Sequence, residues 1–160
     1  MKPEIRTLPD LEIYYVRRTG TIAGNFNRAA DLAFTELTRY AWEQNLTGKI
    51  ASCLGICPDD PDEIPPEKCR YDAGFIFQEG IHPEPKGEVK IQTFPAGRWV
   101  VFTHRGPYEM LWQTWRGIYS EWLPSSGEKL RDVVPFEVYV NDKSSTAPGN
   151  LITEIYVAIM

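Results

Sequence analysis

Apolar and polar positions alternate along most of this chain, and the spacing turns helical in two places. Leu11 to Arg18 (LEIYYVRR) mixes β-branched and aromatic residues and predicts a strand that Gly20 ends. From Asn25, a predicted N-cap, the residues Phe26, Ala30, Ala33, Leu37 and Ala41 keep helical spacing. Short strands follow near Cys53–Cys57 and Tyr71–Phe77, separated by the acidic, proline-rich loop PDDPDEIPPEK. A turn region leads to a strand at Val89–Phe94, and a further strand in FPAGRWVVFTHRG is entered through Pro95 and Gly97. Pro107 then opens a second helix, with apolar positions at Tyr108, Leu111, Trp112, Trp115, Tyr119 and Trp122. Strands at Phe136–Val140 and Leu151–Ile159 close the chain.

The order reads β-α-β-β twice, which predicts an α+β fold of two βαββ repeats, one over about 4–80 and one over about 87–160. Residue pairs support a duplication. Gly20 and Gly106 each follow a basic strand end; LGIC at 54–57 matches FEVY at 136–139; Asp72 matches Glu154 at the same offset. Two such units, each too small to be stable alone, are expected to pack about a pseudo-twofold axis as an antiparallel sheet carrying two main helices and a central groove.

Side chains two apart on a strand share a face. In LITEIYVAI this puts Leu151, Thr153, Ile155, Val157 and Ile159 on the face expected under the helix, and Ile152, Glu154, Tyr156 and Ala158 on the other. PFEVYV splits into Phe136, Val138 and Val140 against Glu137 and Tyr139. If the two strands pair, Glu137, Tyr139, Glu154 and Tyr156 can lie on one surface. An acid in an apolar strand is costly unless it is solvated, paired or serving a ligand. An acid on the wet face of a sheet is the ordinary reading. The functional reading is a ring-lined pocket with Glu154 at its floor, suited to a lipophilic cation, with Tyr108, Trp112 and Trp115 as possible walls. Those same rings also fit a plain helix core.

Composition narrows the field. Seventeen Lys+Arg against 22 Asp+Glu give a net charge of −5, which disfavours direct nucleic-acid binding. No apolar run is long enough to span a membrane and the first residues show no signal peptide, so a cytoplasmic, soluble protein without membrane contact is expected. Cys53, Cys57 and Cys69 form no CxxC and read as small apolar residues, Cys53 and Cys57 on one strand face. His82 and His104 are too few for a metal site, so no metal or cofactor is expected, haem included. Asp59, Asp60, Asp62, Glu63 and Glu67 crowd one loop without the spacing of a calcium site; the choice there is a solvated loop or a DNA-mimicking partner surface.

The segments FPAGRWVVFTHRGPYEMLWQTW, FEVYVND and LITEIYVAI, with VRRTG, FTEL and GICPDDPDEIPPEKCRYDAG in the first half, resemble the GyrI-like superfamily over almost the whole chain. That group includes effector-binding domains of AraC- and MerR-type regulators and stand-alone DNA gyrase inhibitory proteins. The resemblance implies a groove for hydrophobic, often cationic, drug-like compounds, with Glu154 as its central acid and Glu137 as a second candidate. The chain departs from the regulators in that the two repeats leave no residues for a helix-turn-helix, so a free-standing binding domain is expected. Two alternatives stand beside binding. A hydrolase of cyclopropanoid alkylating toxins would use Glu154 and Tyr156 as catalytic groups, and a gyrase-directed protein would act through its acidic loop.

Overall fold

A computed structural model describes residues 2–20, 27–60 and 62–160. The N-cap expected at Asn25 and the helical position of Phe26 lie outside the described residues. In chain order the strands are β1 (Glu4–Leu8), β2 (Leu11–Thr19), β3 (Ile50–Ile56), β4 (Arg70–Phe77), β5 (Lys90–Phe94), β6 (Gly97–Arg105), β7 (Phe136–Tyr139) and β8 (Ile152–Ile159). The main helices are α1 (Asn27–Glu43) and α2 (Leu111–Gly117); the latter runs through a π-turn at Ile118–Trp122 into α3 (Leu123–Ser126). The fold is α+β and antiparallel throughout the pairings described below.

Two compact units share these elements, Leu11–Phe94 and Met1–Asp10 with Pro95–Met160. In the first, β2 pairs with β4 and β5, and β3 pairs with β4. In the second, β6 pairs with β1 and β8, and β7 pairs with β8. The connectivity is therefore repeated, with an exchange: β1 precedes β2 in the chain yet belongs with β6, and β5 precedes β6 yet belongs with β2. The strand β1 has no counterpart in the sequence reading. It is five residues long and mostly exposed at an edge, so it lacks the apolar alternation that reveals half-buried strands.

Each helix covers one face of its sheet. In the first unit Ala29, Ala33, Leu37, Tyr40 and Ala41 of α1 pack on Tyr14, Val16, Tyr71, Ala73, Phe75 and Phe77. Asn45, at φ 58°, takes the left-handed conformation that ends this helical stretch. In the second unit Leu111 and Ile118 pack on Val100, Phe102, Ile155, Val157 and Ile159, with Tyr108, Trp115 and Trp122 against them. The helix-facing set expected for β8 thus meets the helix through Ile155, Val157 and Ile159. Full burial of each such side chain is worth about 1.5–3 kcal/mol, which is what holds a helix this short in place. Cys53 is half-buried against the first core, but Cys57 falls just beyond the end of β3 and is exposed, so the two do not share a strand face.

Candidate functional site

The decisive local fact is the register of the β7–β8 pair. Phe136 stands opposite Tyr156, Glu137 opposite Ile155, Val138 opposite Glu154 and Tyr139 opposite Thr153. Directly opposed residues share a face. Glu137 and Tyr139 therefore lie on the helix side with Ile155, and Glu154 and Tyr156 lie on the reverse side. The expected single surface of two acids and two tyrosines is not formed. The pleat fixes the split within each strand, but a register offset of one residue exchanges the faces, and strand patterns joined by a polar loop do not specify that offset.

On the reverse side Glu154 is locked to an arginine. Arg6 of β1 donates from Nη2 to Glu154 Oε2 at 3.2 Å and to Glu4 Oε2 at 2.7 Å, and from Nη1 to the Tyr156 hydroxyl at 2.7 Å. That hydroxyl in turn donates to Glu154 Oε1 at 3.2 Å. The guanidinium carbon lies 5.7 Å from the centre of the Tyr156 ring. Phe136 stacks on Tyr156 at 4.8 Å, and Trp99 meets both rings edge-on. Burial, with Glu154 close by, pushes the Tyr156 phenol up. Glu154 is thus a paired carboxylate, not the open anionic floor expected of it.

On the helix side Glu137 has a different setting. Trp115 of α2 donates its indole N–H to Glu137 Oε1 at 2.8 Å, and Tyr139 donates its hydroxyl to Glu137 Oε2 at 2.8 Å. Tyr108 meets Tyr139 edge-on at 5.5 Å, and Trp115 stacks on Tyr119 at 6.2 Å. Glu137 makes none of the ion pairs found among the described residues. Burial raises the pKa of this carboxyl; its hydrogen bonds from Trp115 and Tyr139, and then His104, pull only partly the other way. His104 is itself buried, with Nδ1 2.8 Å from Thr114 Oγ1 and Nε2 3.3 Å from the Pro107 carbonyl. Between His104 on β6 and Tyr139 on β7, the fully buried Thr153 presents a hydroxyl with no hydrogen-bond partner among the described residues.

The other expected site residues divide accordingly. Tyr108 and Trp115 join Glu137 and Tyr139, whereas Trp112 faces solvent, 56% exposed. Sequence reasoning gave no site role to Arg6, Trp99, Phe136, His104 or Thr153, and no motif in the chain marks them. The acidic loop is partly neutralised. Asp59 binds Arg70 through both carboxylate oxygens at 2.6 and 2.9 Å, which holds its carboxyl below the ordinary range. Asp60 accepts the Asp62 amide at 2.9 Å. Two open depressions lie elsewhere, at Trp42–Gly48 and around Trp112 and Glu121. Among the described residues no cluster of three metal-ligating side chains occurs, and no helix is long and apolar enough to cross a membrane.

Comparison with known proteins places this arrangement. The GyrI-like small molecule binding domain matches residues 1–160. The chain belongs to the GyrI-like family. It is 33% identical over 123 residues to the SPbeta prophage-derived protein YosT of Bacillus subtilis, covering 76% of this chain and 77% of that one. It is 31% identical over 124 residues to the DNA gyrase inhibitor of Serratia proteamaculans, covering 74% and 76%. Its fold matches that of SAV2435 bound to tetraphenylphosphonium with a TM-score of 0.63 at 16% identity, over 100% of this chain and 94% of the other. This GyrI-like chain thus has a small-molecule-binding fold whose second unit holds a half-buried carboxylate under an aromatic helix.

Proposed function

We propose that this protein binds hydrophobic, cationic small molecules at Glu137, with Trp115, Tyr108 and Tyr139 as the ring surfaces. One observation carries the reading: Glu137 is a half-buried carboxylate whose hydrogen-bond partners are neutral aromatic donors, whereas Glu154 already has a cation. A lipophilic cation supplies the missing charge and gains ring contact that water cannot provide. The tetraphenylphosphonium complex of SAV2435, a protein of the same fold, supports this class of ligand. A cytoplasmic site of action and the absence of nucleic-acid contact belong to the same reading.

Calorimetric titration with tetraphenylphosphonium tests it. Glu137→Gln is expected to weaken binding at least about tenfold, the cost of a lost charge partner, and Glu154→Gln by less than about twofold. Triphenylphosphine oxide, neutral and of similar shape, is expected to respond little to either change. The reverse ranking of the two acids returns the site to Glu154.

A second reading is hydrolysis of a strained electrophile. The Tyr139 hydroxyl already donates to the Glu137 carboxyl, and burial raises the pKa of that carboxyl, the direction that favours a general acid. Turnover of a cyclopropane-bearing substrate, abolished by Glu137→Gln, supports it; binding without product after long incubation sinks it. An action on gyrase has less behind it, because Asp59 is committed to Arg70.

A further inference from the structure

With Glu137 taken as the anion of the site, we propose that Trp115 selects among cations: it favours those without N–H groups, such as phosphonium and quaternary ammonium, over amidinium and guanidinium.

The argument starts from the carboxylate's capacity. Its two oxygens accept hydrogen bonds, and an amidinium or guanidinium recognises a carboxylate as a fork, one N–H on each oxygen. Here both oxygens already take a donor, Trp115 on Oε1 and Tyr139 on Oε2, each at 2.8 Å. Each oxygen has a second lone pair, so a forked cation binds only where it can crowd in beside an internal donor on both atoms. A phosphonium carries no N–H and draws on the charge and the ring faces alone, so both internal bonds stay in place as it binds.

Trp115 is well fixed for this role. Its neighbour Thr114 is held by His104, whose Nε2 faces the Pro107 carbonyl. A carbonyl only accepts, so in the neutral ring Nε2 carries the hydrogen and Nδ1 accepts the Thr114 hydroxyl. The Ile118 amide reaches both the Thr114 and Trp115 carbonyls where α2 passes into the π-turn, and Tyr119 stacks flat on the indole, 6° from parallel. The indole N–H is therefore aimed by helix, histidine and ring together. Tyr139 donates from the same strand as Glu137 and needs no such support.

The test measures tetraphenylphosphonium and benzamidinium affinities side by side and takes their ratio, which cancels any general change in the charge of Glu137. The wild type is expected to prefer the phosphonium. Trp115→Phe keeps a ring and removes the donor, and is expected to move the ratio about tenfold towards the amidinium, the worth of one hydrogen bond to a charged group. Thr114→Val, which frees α2 from His104, is expected to move it the same way by a smaller factor, and it serves if Trp115→Phe does not fold. A ratio unchanged within twofold in the folded variants, with phosphonium binding still lost in Glu137→Gln, overturns the role of Trp115 and leaves the site standing. Phosphonium binding indifferent to Glu137→Gln overturns the site itself, and the selector with it.

Discussion

The two units are the same plan put to different uses. In Leu11–Phe94, Asp72 stands opposite Ile56 and Arg17; in the other unit Glu154 stands opposite Val138 and Thr103. Asp72 is 1% exposed and bound at 2.7 and 2.9 Å by Arg17 from a central strand, with Gln92 of the edge strand at 3.3 Å. Glu154 is held from the edge strand by Arg6, which it shares with Glu4. On the helix faces the contrast is sharper. Gly55 lies opposite Ala73 where the second unit places Glu137 opposite Ile155. One repeat kept a closed apolar core beneath its helix. The other placed a carboxylate there and surrounded it with rings. The repeat that gives up core packing is the one in which function is proposed, a familiar trade between stability and activity.

That contrast can be broken at several points. The largest effect is expected from Arg17→Met, which strands a fully buried Asp72: a loss of about 3 kcal/mol in urea unfolding, since an unpaired buried charge costs far more than its pair gained. Arg6→Met, which unpairs Glu154, is expected to cost only about 1 kcal/mol, because Glu154 keeps access to water. Equal losses erase the distinction between the two acids. Next comes Gly74→Ala. A Cβ there would lie 2.8 Å from Ile13 Cγ2, whereas the corresponding position of the other unit accommodates Tyr156. Overpacking is expected to cost about 1–3 kcal/mol, read as a drop in Tm.

The smallest effect, and the most telling, concerns pH. Burial raises the Glu137 pKa in the folded chain, so the native state holds this proton more tightly than the unfolded one. Stability is therefore expected to fall as pH rises from the ordinary carboxylate value to the raised one, and to level off above it. Glu137→Gln removes that slope and is expected to leave the free protein about 1 kcal/mol more stable at neutral pH, measured by thermal unfolding. Affinity for a phosphonium is expected to follow the opposite course, rising with pH as Glu137 ionises. A stability curve that Glu137→Gln leaves unchanged shows a carboxyl without strain, and so without the desolvation on which the site depends.

Much of this was readable before any coordinates. The spacing of Ala33, Leu37 and Ala41 predicted α1, and Pro107 with the aromatic series after it predicted the second helix, which passes through a π-turn just before Pro124, a residue without an amide hydrogen. The alternation in LITEIYVAI separated the helix face of β8 from its reverse. The strand β1 escaped because an exposed edge strand needs no apolar face. The rank of the acids escaped for a deeper reason. Glu154 and Glu137 look alike in sequence, each an acid in a mostly apolar strand, and what separates them is the company each keeps.

Local pattern determined the order of the helices and of every strand but β1, and the two faces of each strand, because these follow from backbone geometry and the burial of apolar side chains a few residues apart. Tertiary structure alone decided which carboxylate meets an arginine and which meets an indole. Arg6 and Glu154 are brought together by an exchanged edge strand, and Trp115 and Glu137 by a helix laid over a sheet in one register; neither contact follows from residues that are neighbours in the chain.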